Sequence, residues 1–139
     1  MRKIAILLIA FTAICAFSPL SSYINSLLGS ASTGKTETVL ASCFTDTIGM
    51  RDNNLYAGNY FAELSINYQK GDFKALGGLP FGYKIRITYK GRSIIATKGD
   101  EGLGGPSHPK IDIHKKTLQG LGINNCDQFF DKVQIEFLG

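Results

Sequence analysis

The sequence predicts a small all-β domain closed into a barrel. Three observations carry that prediction. Six short segments read as strands, the helical signal is confined to about two turns, and no strand presents the long polar edge that an open sheet would leave to solvent.

Each element has its own warrant. Val39–Thr45 (VLASCFT) reads as the first strand, and Asp46–Asn59 reads as a loop, with Gly49, Asp52, Asn53, Asn54 and Gly58 as turn formers. Tyr60–Leu64 (YFAEL) is short enough to be a strand or one helical turn. Leu76–Leu79 (LGGL), backed by Pro80, is a rigid turn. From Tyr83 to Tyr89 the alternation is plain, with Ile85 and Ile87 on one side and Lys84, Arg86 and Thr88 on the other. Lys90-Gly91 then turns the chain into a returning strand, Arg92–Lys98, so the pair forms a hairpin. A glycine-rich loop runs from Gly99 to Gly105, and Pro106 and Pro109 stiffen the approach to a short strand, Lys110–His114. Lys115–Leu121 suits two helical turns with Leu118 and Leu121 inward and Gly122 as the stop. Val133–Leu138 closes the domain with Val133, Ile135 and Phe137 inward.

The N-terminus reads as an address. Met1, Arg2 and Lys3 give a positive start, and Ile4–Phe17 run without a charge. That stretch matches a secretory h-region and is shorter than the roughly 20 residues of a membrane-spanning helix. Residues 1–31 are therefore expected to be an export signal cleaved near Ala31, with a retained anchor as the rival reading. Cys15 follows the bulky Ile14 where a lipid-attachment signal wants a small residue. Residues 32–38 are expected to be a disordered linker and 39–139 the domain. The mature chain, roughly 105 to 110 residues, suffices for one core and not for two.

Charge excludes a general nucleic-acid binder. The chain has 15 Lys plus Arg against 11 Asp plus Glu, and without Arg2 and Lys3 the balance is only 13 against 11. The local basic residues Lys84, Arg86, Lys90, Arg92 and Lys98 are either a solvated face or a contact for an anionic polymer such as cell wall. No membrane contact is expected of the mature form, and a monomer is expected. Cys43 and Cys126 remain as an even pair in an exported chain, which points to a disulfide, two buried thiols being the alternative. The closed loop would contribute roughly 4 to 5 kcal/mol in the chain-entropy model.

The run from Leu79 to Gly122 resembles the double-psi β-barrel of the rare lipoprotein A-like and expansin-like superfamily. The residues that carry the resemblance are the turn Leu79-Pro80-Phe81-Gly82, the loop Asp100–Pro106, the motif Ile111-Asp112-Ile113 before a short helix, and the opening Ala41-Ser42-Cys43-Phe44. The resemblance covers nearly the whole mature chain and implies a secreted or periplasmic domain that binds, and in some members cleaves, peptidoglycan or a related cell-wall polysaccharide. It places the family's catalytic acid at Asp112. Members that cleave peptidoglycan carry a histidine shortly before the Leu-Pro turn, and Leu76 stands there instead. The acidic loop is also longer, with Leu103-Gly104-Gly105 inserted before Pro106.

The residues themselves frame the chemistry. An aspartate on an otherwise apolar strand, Asp112, should have its charged form disfavoured by desolvation, which suits a general acid protonating a glycosidic oxygen. Its alternative role is to accept backbone N–H bonds and pin a loop. Asp100 is the second catalytic candidate, for stabilising an oxocarbenium ion or activating water, if the carboxyl groups lie about 5 to 9.5 Å apart. Its alternative is turn capping among glycines. Expected binding side chains are His114, Tyr83, Tyr89, Lys98 and His108. Glu63 reads as a surface charge. Three ligands on one segment (His108, Asp112, His114), without a remote fourth, do not make a metal site, and Gly99–Gly105 lacks the Lys-Ser or Lys-Thr of a phosphate loop. No metal or cofactor is expected. The leading function is cell-wall glycan binding, with possible cleavage of a lytic transglycosylase or glycosidase type. The other class is a secreted effector or inhibitor acting on a protein.

Overall fold

The computed structural model describes residues 34–67, 72–105 and 107–139, so the expected export signal lies outside the described residues. The strands are β1 (Thr36–Phe44), β2 (Tyr60–Leu64), β3 (Lys84–Tyr89), β4 (Arg92–Gly102), β5 (Ile111–His114) and β6 (Asp131–Phe137), with α1 (Lys115–Gly120) between the last two. They close into a barrel in the order β1-β5-β2-β4-β3-β6. β1–β5 and β2–β4 pair in parallel, and the remaining neighbours pair antiparallel.

Alternation builds the interior. Ile85 and Ile87 of β3, Ile111 and Ile113 of β5, and Val133 and Ile135 of β6 turn inward to meet Val39, Ala41, Phe61 and Ala96. Leu118 and Leu121 bring α1 against this cluster, and Gly122 takes the left-handed conformation (φ 84°) that ends the helix. At the β3–β4 hairpin, Lys90 (φ 45°) and Gly91 (φ 80°) both have positive φ, as a type I′ turn demands. A disulfide joins Cys43 at the end of β1 to Cys126 before β6, across 83 positions of sequence.

Three expectations are corrected, and one open choice is resolved. Thr36–Thr38 are not linker: they pair with Glu136, Ile135 and Gln134 of β6. Tyr60–Leu64 is a strand, held between β4 and β5. β4 runs on to Gly102 through the first glycines of the expected loop, because β2 lies beside it as a parallel partner. Finally, Glu63 is fully buried. Its carboxylate accepts the backbone N–H groups of Leu76, Gly78 and Leu79 at 2.7–2.9 Å and the Lys98 ammonium at 3.0 Å. That set of partners makes a buried charge tolerable and fixes the Leu76–Leu79 turn.

One irregularity positions the rest. β2 and β4 shift register between Phe61, opposite Lys98, and Ala62, opposite Asp100, so Gly99 is an extra residue on β4. Without this bulge Asp100 would share the inward side of Lys98; with it, Asp100 turns outward and Glu101 turns inward toward Lys98, 2.8 Å away. Only glycine fits at the bulge, since a Cβ at position 99 would fall 2.5 Å from the Tyr60 ring.

Candidate carboxylate site on the outer face of the barrel

Register brings four outward residues into one row. Asp100 of β4 lies opposite Ala62 of β2, Ala62 opposite Asp112 of β5, and Asp112 opposite Ser42 of β1. The two aspartates thus sit two strand spacings apart, about 10 Å between Cα atoms. Ala62 between them is small, and the Asp112 carboxylate lies beside Gly102, where a Cβ would be 3.8 Å from Oδ2.

The two carboxyl groups are treated differently. Asp100 is nearly buried, and its Oδ1 accepts the backbone N–H groups of Met50 at 3.0 Å and Glu101 at 2.9 Å. It ties the β1–β2 loop to β4, which is the capping role. Asp112 is half-buried, and among the described residues its hydrogen-bond partner is the Ser42 hydroxyl, which donates to Oδ1. Desolvation pushes its pKa up; the Ser42 bond pulls the other way, and the negative charges of Asp100 and Asp46 add to the rise. A carboxyl group biased toward its protonated form on an outward strand face can act as a hydrogen-bond donor or a proton donor.

The face continues into a cavity of about 330 Å³ lined by Arg51, Asn53, Tyr60, Phe81, Thr97 and Gly99, among others. Tyr60 is one pleat along β2 from Ala62, and Gly99 precedes Asp100. The Arg51 guanidinium sits over the Phe81 ring, 4.1 Å from its centre. Tyr60 and Phe81 are the aromatic side chains that line this cavity, and their rings suit stacking on a sugar.

The expected binding residues disperse. His114 is fully buried: the Lys116 N–H donates to Nδ1 at 3.3 Å, so Nε2 carries the proton and donates to the Asp46 carbonyl at 3.0 Å. Phe44 and Tyr56 stand edge-on to its ring, and burial holds it below the ordinary histidine range. It caps α1 from a fully buried position. Lys98 is buried with Glu63, Glu101 and the Leu79 carbonyl. Tyr83 packs edge-on against Phe137, and the Tyr89 hydroxyl donates to Asp131 at the start of the neighbouring strand β6. His108 is exposed in the segment before β5, its backbone N–H bonded to the Gly105 carbonyl. Among the described residues no cluster of His, Cys, Asp and Glu is arranged to hold a metal ion.

Sequence reasoning missed Ser42 as the partner of Asp112, although inward Ala41 and Cys43 already implied an outward Ser42. It also missed Arg51 and Asn53, because nothing local in a turn-forming segment says which strand it will cover.

No protein-family model matches the chain, and no curated protein matches it. Among solved structures it is similar to a papain inhibitor from Streptomyces (18% identity, TM-score 0.53), covering 76% of this chain and 96% of that one. It is also similar to the apo form of an expansin from Clavibacter michiganensis (15% identity, TM-score 0.51), again over 76% of this chain. The chain spans about half of that expansin, 51% of its length. The fold is a six-stranded double-psi β-barrel. At these identities the likeness carries the fold alone.

Proposed function

We propose that this is an exported barrel that binds a cell-wall glycan at the half-buried Asp112–Ser42 end of the row, with the Tyr60–Phe81 cavity as the neighbouring aromatic surface. The observation that carries the reading is the half-buried, outward carboxyl group of Asp112, biased toward protonation and placed in line with a second carboxylate. A disulfide suits an oxidising compartment and so supports export. Binding comes before cleavage in this reading. Leu76 offers no side-chain acid or base where wall-cleaving members of the resembled superfamily carry a histidine, and its backbone N–H is committed to Glu63. Cleavage, where it occurs, uses Asp112 to protonate the glycosidic oxygen.

The test is co-sedimentation with insoluble peptidoglycan, followed by assay of released sugar. Saturable pelleting of the wild-type protein is expected, and its absence would remove the glycan reading. Soluble fragments from wild type but not from Asp112→Asn would add cleavage to binding.

A second reading rests on a separate observation. Ile48, Met50 and Leu103 are 53%, 57% and 64% exposed, Met50 bonds through its backbone to Asp100, and Leu103 follows Gly102. Apolar side chains at the border of the same face suit a protein partner, and nearly the whole length of the papain inhibitor shares this fold. Inhibition of a papain-type protease, lost on Met50→Asp, would favour this reading.

A further inference from the structure

The five basic residues of the hairpin region have separate fates. Arg86 pairs with Glu136, and Lys98 is buried between Glu63 and Glu101. Lys84 is exposed at the start of β3. Lys90 and Arg92 flank the β3–β4 turn, and neither makes an ion pair among the described residues. Together with Tyr89, Leu121, Gly122 and Ile123 they line a cavity of about 400 Å³. The Lys90 ammonium lies 5.0 Å over the Tyr89 ring, and the Arg92 guanidinium lies across the space that a side chain at Gly122 would fill. Charged groups on neighbouring elements are Asp131 and Lys132. The Asp131 carboxylate accepts the Tyr89 hydroxyl at 2.8 Å and the Lys132 N–H at 2.7 Å and is, among the described residues, the one acid set against Lys90, Arg92 and Lys132, so the cavity is net positive with an apolar wall.

We propose that this cavity is a second binding site, for a carboxylate or phosphate group carried on a carbohydrate. The two cations that line the cavity supply charge-assisted hydrogen bonds, and Tyr89, Leu121 and Ile123 offer the carrier an apolar surface. The site is remote from the carboxylate row. β3 lies three strands from β5 in either direction round the barrel, and Arg92 precedes Asp100 by eight residues on β4, about 26 Å of strand. A polymer held at both places gains avidity without a new contact at either. The anion chemistry stands by itself; only the polymeric carrier rests on the glycan reading.

Amide NMR titration at low salt, with glucuronate in one arm and inorganic phosphate in the other, tests the site and identifies which anion it prefers. Saturable shifts confined to residues 89–92 and 121–123 are expected, weakened at least tenfold in the double variant Lys90→Gln, Arg92→Gln and unchanged in Asp112→Asn. Unsaturable shifts, or shifts that persist in the double variant, would overturn the proposal. Small-anion binding without pelleting on peptidoglycan would leave this site standing and remove the glycan reading, whereas pelleting without saturable anion shifts would do the reverse.

Discussion

Glu63 and Asp112 sit on adjacent strands, one register step apart, and face opposite sides of the barrel wall. Glu63 is fully buried yet receives three backbone N–H groups and an ammonium. Asp112 is less buried, receives one hydroxyl, and is pushed toward its neutral form. Burial by itself therefore does not set a carboxylate's role. The number of donors that replace water does, and a deficit of donors leaves a group available for chemistry.

The largest effect is expected from removing the satisfied partner. Glu63→Ala leaves the buried Lys98 ammonium with Glu101 as its carboxylate partner beside the Leu79 carbonyl and frees the Leu76–Leu79 turn, so denaturant unfolding should show a loss of about 3–5 kcal/mol. A loss below about 1 kcal/mol would break the contrast by showing that the clamp is dispensable. Next comes the bulge that turns Asp100 outward and Glu101 inward. Gly99→Ala drives a methyl group into Tyr60 and should cost about 1–3 kcal/mol, with Asp100 amide contacts perturbed in NMR spectra.

Asp112→Asn sharpens the comparison through pH. The folded-state pKa of Asp112 lies above its unfolded value, so the unfolded chain gives up this proton first. Stability from this group is complete below the ordinary aspartate value and is lost as pH rises through the raised one. The variant should therefore unfold at a higher temperature than wild type at pH 7 and not at pH 3, as followed by thermal melts at both. Ser42→Ala should have the smallest effect on stability, about 0.5–1.5 kcal/mol, because it removes one hydroxyl donor from a half-buried acceptor.

The barrel was legible because its signals are local. Ile85/Ile87 and Val133/Ile135 alternate, Lys90-Gly91 specifies its turn, and Gly122 stops the helix, each within a few residues of sequence. What was not legible depends on remote partners. Glu63 finds its donors 13 to 16 and 35 residues away, so FAEL looks like a strand or helix with a surface charge. His114 lies on the outward side with Asp112, but Phe44, Tyr56 and the Asp46 carbonyl cover it. The glycines after Lys98 signalled a loop, whereas the parallel partner β2 draws them into β4. Asp112 itself was visible as the polar residue between Ile111 and Ile113, and the outward row was a matter of register that no single segment encodes.

The chemistry proposed for the outer face depends on Asp112 holding its proton more tightly than an ordinary aspartate. Carbon-detected NMR titration of the Asp112 side-chain carboxyl reads this directly. A midpoint above the ordinary aspartate value, moving higher in Ser42→Ala, is the expected result; a midpoint at or below that value would contradict it.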